Sequence, residues 1–216
     1  MRHYSSPSFL VNKPGSDKYR LIVNYAKLNS KIMRNNQPIG DLHECVHFMK
    51  DCEYFTVLDL CNSFYQLRVY LKKASTLLTL LPHLYSQFVF KRVPYGLHLG
   101  SGVLSGYLEK IFHDIKFKFM LNFVDDIIIF SKSKEQHIAD LEEVIKRLSM
   151  HNLTVNSSKV KFFYKEISFL GNLISKNNVS IDPERTITLR NYPRPTCTKT
   201  STHLYRNDAV FFFQSI

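Results

Sequence analysis

Two adjacent acids, Asp125 and Asp126, interrupt the strand-forming run "NFVDDIIIFS" at residues 122–131. Asp is depleted in strands, and neighbouring carboxylates repel unless a cation or a donor offsets them. One reading is a plain turn, since Asp suits turns and strand–Asp–Asp–strand describes a hairpin. The other is a metal site at the hairpin tip. A third carboxylate bears on the choice. Asp59 closes "EYFTVLD", where Phe55, Val57 and Asp59 alternate with Thr56, Leu58 and Leu60, so a strand there aims Asp59 to one side of its sheet. Laid antiparallel beside the hairpin, that strand would bring Asp59 to the tip. Hard divalent cations take carboxylate oxygens, and Mg²⁺ uses one or two from protein with the rest from phosphate and water. Two such ions about 3.5–4 Å apart serve in-line phosphoryl transfer.

The bulk composition bounds the partners. The chain has 216 residues, 44% of them hydrophobic and 22% charged, which is globular rather than disordered. A net charge of +11 attracts polyanions, of which nucleic acid is the commonest large one. No basic amphipathic helix argues for a membrane surface, and no stretch approaches the roughly 18 apolar residues of a span. Cys45, Cys52, Cys61 and Cys197 form no CxxC pair, so free thiols in a reducing compartment are expected. "MRHYSSPSFLV" lacks a signal-peptide hydrophobic region. A soluble intracellular chain with no membrane partner is the expectation.

The elements that must position the acids alternate irregularly. "SFLVNKPGSDKYRLIVNY" reads as two strands around a Pro14–Asp17 turn, and "DLHECVHFMKDC" as partly helical. "HLYSQFVFKRVPYGL" suggests a strand pair leading into Pro94 and Gly96, and residues 100–112 a helix. The clearest helix lies in "SKSKEQHIADLEEVIKRLSMHN", with a capping box from Ser133 and Gln136, a stop at Asn152, and an apolar stripe of Ile138, Leu141, Val144, Ile145 and Leu148. "KFFYKEISFLGNLIS" and "VSI" form a hairpin-like pair around Lys176–Asn178, and Asp182-Pro183-Glu184 starts a last helix. The class expected is α+β.

Seven ordered blocks carry a resemblance: "SPSFLVNK", "YRLIVNYAKLN", "YFTVLDLCNSFYQLRV", "VPYGL", "FVDDIIIFSKSKEQHIADLEEVIKRLSMHNLTVNSSKVKFF", "ISFLGNLIS" and "DPERTITLRNYPRPT". In this order and spacing the chain resembles the reverse transcriptases of gypsy-type long-terminal-repeat retrotransposons, and more distantly those of retroviruses. The resemblance implies a right-hand polymerase fold, with fingers interleaved with a palm built on an antiparallel sheet. It covers residues 1–196, partial at the N-terminus, with the thumb and connection truncated and 197–216 a divergent or truncated tail of a Pol polyprotein fragment. By the same resemblance Asp59, Asp125 and Asp126 are the catalytic, metal-binding acids, with Mg²⁺ as cofactor and Mn²⁺ as the alternative. Lys13 and Arg20 match residues that grip the incoming deoxynucleoside triphosphate, Phe64 the aromatic floor beneath its sugar, and Tyr95 a residue near its 3′ side. Phe169, Leu170 and Gly171 match the primer grip. The reaction implied is transfer of a nucleotide to a primer 3′-hydroxyl on an RNA or DNA template. A second subunit and a cytoplasmic particle are the further partner and location implied.

The chain also departs from the family pattern. Asn24 and Ala26 stand where the family has Asp and Arg, and Cys61-Asn62-Ser63 where it has Lys-Ser-Gly. Phe123 replaces the usual Tyr, and Leu99–Ser105 replaces Asn-Ala-Pro-Ala-Thr-Phe-Gln. Two alternatives to an active polymerase follow. One is an inactive remnant of the same fold that at most binds template–primer. The other is a basic structural or RNA-binding protein whose acids only make turns.

Overall fold

Apolar alternation on the strand that ends in Asp59 is the organising feature of the fold. The computed structural model describes residues 5–12, 17, 19–32, 48–49, 51–69, 78–81, 86–176, 178–183 and 187. Its elements run β1 (Ser5–Asn12), β2 (Tyr19–Val23), α1 (Ala26–Asn29), β3 (Tyr54–Asp59), α2 (Ser63–Gln66), β4 (Leu78–Leu81) and β5 (Ser86–Val89). They continue with α3 (Gly100–Phe112), β6 (Met120–Phe123), β7 (Asp126–Ser131), α4 (Lys134–Met150), β8 (Lys161–Tyr164), β9 (Glu166–Phe169), β10 (Asn172–Ser175) and β11 (Asn178–Ile181). Helices and largely antiparallel strands mix without a repeating unit, which is the α+β class expected.

The central sheet is antiparallel in the order β6-β7-β3-β8. It is covered on both faces, and the period-two alternation decides what each face meets. Leu58, Leu60, Met120, Ile127 and Ile129 pack with Leu104, Leu108 and Phe112 of α3 and with Leu141, Val144 and Leu148 of α4. Phe55, Leu121, Ile128 and Phe130 pack on the other side with Ile167, Phe169 and Ile174 of the small sheet β11-β10-β9. Ile127, Ile128 and Ile129 are all fully buried, and each such side chain contributes about 1.5–3 kcal/mol of transfer free energy. A third cluster, Val23, Tyr25 and Leu28, forms where β2 leads into α1, and a further sheet runs β2-β1-β4-β5, with β1 and β4 parallel.

Several sequence expectations are met and others corrected. Helix α4 starts at Ser133, whose Oγ accepts the Gln136 N–H at 3.2 Å. The reciprocal half of the capping box is missing, because Gln136 Nε2 donates instead to Asp140 Oδ1 at 2.7 Å. Asn152 ends the helix with φ 55°, and the N–H groups of Asn152 and Leu153 donate to the carbonyls of Ser149 and Leu148. The buried stripe is rotated from the apolar one. Ile138 and Ile145 are exposed, whereas His137 and Asp140 are buried beside Leu141, Val144 and Leu148.

The physical reason for the rotation is a polar chain. Phe163 N–H and His137 Nε2 both meet Thr56 Oγ1, His137 Nδ1 meets Ser131 Oγ, and Ser131 donates to Asp140 Oδ2. One arrangement satisfies every group: Thr56 donates to Nε2, and a neutral imidazole donates from Nδ1 to Ser131. Burial pushes the His137 pKa down, with Asp140 opposing, which agrees with that neutral form.

The partner of β5 is β4, not a strand within residues 83–97. The segment expected around Lys176 pairs as β10 with β11, and β10 also pairs with β9. Lys13, most of residues 41–50 and the tail 197–216 lie outside the described residues. Pro183 and Ile187 are helical, and the rest of the helix expected there also lies outside them.

Candidate active site

Strand register brings the acids together. In the β3/β7 pair Asp59 stands opposite Asp126, and in β6/β7 Phe123 stands opposite Asp126, which leaves Val124 and Asp125 as a two-residue turn. Val124 has φ 53°, a sterically costly conformation for a β-branched residue. The Leu60 N–H donates to the Asp125 carbonyl at 3.1 Å, pinning the turn to the end of β3. Like charges directly opposite are destabilising in a sheet. Burial pushes the Asp126 pKa up, and Asp125 and Asp59 push it further in the same direction. A plain turn gains nothing from this concentration of charge.

Two of the acids already have protein partners. Lys159 Nζ lies 2.9 Å from Asp59 Oδ2, and Asn156 Nδ2 lies 3.4 Å from the same oxygen. The hydrogen bond to Asp59 raises the pKa of Lys159 above the ordinary amine range. Ser63 Oγ donates to Asp125 Oδ2 at 3.5 Å. Among the described residues, no group of three or more His, Cys, Asp or Glu is yet arranged to hold an ion. The donor set nonetheless fits a hard divalent cation, because it consists of carboxylate oxygens at the joined ends of three strands.

A cavity of about 460 Å³ opens beside the acids, lined in part by Asp59, Asp126, Lys159, Phe169 and Leu170. Leu170, in the turn between β9 and β10, thus lines the same cavity as Asp59 and Asp126. Phe169 pairs with Asn172, and Leu170 and Gly171 between them have φ 51° and 79°. Left-handed conformation at both central residues is the twist-matched hairpin geometry. Phe169 is itself a core residue, 5% exposed, so it anchors the turn while the Leu170–Gly171 segment caps the hairpin.

The aromatic residues expected around a nucleotide also meet. Phe64, on α2, and Tyr95 contact edge to face with ring centroids 5.0 Å apart, and Tyr65 meets Tyr95 at the same distance. Gly100 passes over the Phe64 ring, where an added Cβ would lie 3.8 Å from it. Asn29 holds the Tyr95 loop, donating to the Gly96 carbonyl at 2.8 Å and accepting the His98 N–H at 3.1 Å. Gly96 has φ 95° and its added Cβ would stand 3.1 Å from the Val23 carbonyl, so glycine is required there. Arg20 lies on β2 opposite Val11.

Lys159, Asn156 and Asn29 are residues near the acids or the aromatic wall that sequence reasoning did not single out, and Ser63 stood there only as part of a departure from the family pattern. Each is a polar residue in a turn or a short helix, and only tertiary contact distinguishes it from its neighbours. The segment Asn156–Lys159 does carry one signal, a polar turn between two strand-forming runs.

Solved structures share this architecture. A foamy viral protease-reverse transcriptase in complex with double-stranded DNA superposes with a TM-score of 0.83 at 20% identity, over 97% of this chain and 36% of that one. A foamy viral protease-reverse transcriptase in complex with an RNA/DNA hybrid gives 0.75 at 20% identity, over 97% and 27%. The fold is therefore the α+β polymerase fold, with the acids on its central sheet.

The family model for reverse transcriptase (RNA-dependent DNA polymerase) matches residues 11–174, and the chain belongs to that family. Pol polyproteins from Drosophila melanogaster transposons are similar: that of gypsy is 29% identical over 199 residues, 90% of this chain and 19% of that protein. That of transposon 297 is 30% identical over 197 residues, 89% of this chain and 18% of the polyprotein. The chain thus spans about a fifth of the length of these relatives. No helix among the described residues is long and apolar enough to cross a membrane.

Proposed function

We propose that residues 1–196 form an RNA-directed DNA polymerase domain that transfers deoxynucleotides to a primer 3′-hydroxyl. The observation that carries this is the register that sets Asp59 opposite Asp126 with Asp125 at the adjoining turn. Asp59, Asp125 and Asp126 would hold divalent cations, Mg²⁺ or Mn²⁺, which when bound supply charge neutralisation to in-line displacement at phosphorus. The chain's own residues orient the reactants. The Leu170–Gly171 turn, whose Leu170 lines the same cavity as Asp59 and Asp126, holds the primer end toward the acids. Phe64 and Tyr95 form an aromatic wall for the sugar of the incoming nucleotide, and Lys13 and Arg20 meet its triphosphate. The excess positive charge draws in the template–primer, RNA or DNA, as the foamy viral relatives' complexes with double-stranded DNA and RNA/DNA hybrid suggest for this fold.

Primer extension on an RNA template with deoxynucleoside triphosphates and Mg²⁺ tests this reading. Extension that disappears in Asp125→Asn supports it. A folded wild-type chain that binds template–primer without extending it would identify an inactive remnant instead. Filter binding in rising salt does not separate the two, because both bind through charge.

A further inference from the structure

The acid cluster contains its own cation. Lys159 Nζ sits 2.9 Å from Asp59 Oδ2, with a side chain 65% exposed against 16% for Asp59. Its backbone origin is fixed: the Lys159 N–H donates to the Asn156 carbonyl at 3.0 Å, and the Asn156 N–H donates to the carbonyl of Asp59 itself at 2.8 Å. Ser158 Oγ closes the same turn onto Asn156 Oδ1 at 2.8 Å. The turn is thus clamped to the end of β3, and the flexible four-carbon stem of Lys159 reaches from it to the carboxylate. A divalent ion on Asp59 would meet the amine at close range, and two positive charges at such a separation repel strongly outside bulk water. An exposed amine is a weak and exchangeable tether, so it can leave.

Given the reading of Asp59, Asp125 and Asp126 as ion ligands, we propose that Lys159 is a displaceable counter-cation. It holds Asp59 in the ion-free protein and must swing out before a divalent ion can use that carboxylate. Metal and amine compete for one oxygen atom. This competition makes ion loading harder in the empty protein than the number of carboxylates alone would imply.

The test is Mn²⁺ titration of the full chain without nucleic acid, followed by electron paramagnetic resonance of the free ion. Lys159→Met should bind Mn²⁺ roughly ten-fold tighter or more, because it removes one like charge beside the ion. Lys159→Arg, which keeps the charge, should not tighten binding. Asp59→Asn should weaken binding in both the wild-type and the Lys159→Met backgrounds. Equal affinity for wild type and Lys159→Met, with Asp59→Asn still weakening both, overturns the role of Lys159 and leaves the acid site standing. No effect of Asp59→Asn in either background overturns the acid site and the inference together. A measurement on wild type covers the case in which a variant misfolds. Addition of Mg²⁺ should shift the Lys159 ammonium resonance toward that of a solvated lysine, and an unmoved resonance at saturating ion overturns the proposal.

Discussion

Two tight turns adjoin the same cavity, which Asp126 lines beside one and Leu170 within the other, and they are held in place by different means. The acid turn, Val124–Asp125, and the grip turn, Leu170–Gly171, each carry a non-glycine residue at positive φ, 53° and 51°. The strands behind the acid turn are interior. Asp126 leads directly into Ile127–Phe130, which are 0–1% exposed, and the sheet is covered on both faces. The strands behind the grip turn belong to a three-stranded sheet whose outer strand exposes Val179 and Ile181. Here buried Phe169 anchors the turn and glycine at φ 79° shapes it. The acids are positioned by strands buried on both faces, and the second turn by one buried anchor together with its own backbone geometry. Strain at Val124 is retained because the packing behind it over-determines the conformation.

Substitutions can break or sharpen this contrast. The largest effect belongs to Asp125→Asn, which should lower primer extension by roughly 10³-fold, since ion-mediated charge stabilisation is worth several kcal/mol. Thermal unfolding should change little, and a comparable loss of fold would contradict the assignment. Next, Ile128→Ala behind the acid turn should destabilise the fold by about 2–5 kcal/mol in urea titrations. Val179→Ala, on the outer strand β11 of the small sheet, should cost at most about 0.5 kcal/mol, as at other surface positions. Equal costs would erase the distinction between the two regions. Gly171→Ala should cost about 1 kcal/mol or more, because the native φ is positive. Its signature is impaired primer use with unchanged Mn²⁺ affinity.

The smallest effect concerns pH. Asp126 has a folded-state pKa raised above its ordinary 3.8 by burial and by its neighbouring acids. The protonated form therefore favours the fold. That contribution is fully present below pH 3.8 and is lost as pH rises through the folded-state value. Asp126→Asn should then raise the unfolding temperature of the ion-free protein at pH 7, with the difference from wild type closing as pH falls toward 3.8. Scanning calorimetry at several pH values checks the sign.

How much of this was legible in the sequence varied with the kind of interaction. The two faces of β3 were readable, because alternation is local and both faces are apolar. The ends of α4 were readable from Ser133 and Asn152, whose capping is also local. Its buried face was not. Hydrophobicity assigns Ile138 and Ile145 inward, while the chain from Thr56 through His137 and Ser131 to Asp140 turns the helix the other way. That chain spans three elements, and no single stretch of sequence displays it. Strand β4 was overlooked because its four residues lie within the longer apolar run "LLTLL", where only Thr79 breaks the pattern. Asp59, Asp125 and Asp126 were identified as a group by residue type, yet their protein partners Lys159 and Ser63 emerge only from tertiary contact. The roles of Arg20, Phe64, Tyr95 and the grip turn came from resemblance, and the structure adds their placement.

The pairing of β3 with β7 also governs when the site comes into being. The hairpin β6–β7 is local and can close on the order of microseconds. Asp59 joins it only through a contact between residues 59 and 126, and contacts so distant along the chain form slowly because loop closure precedes their reward. During folding, the two halves of the acid cluster are therefore made separately.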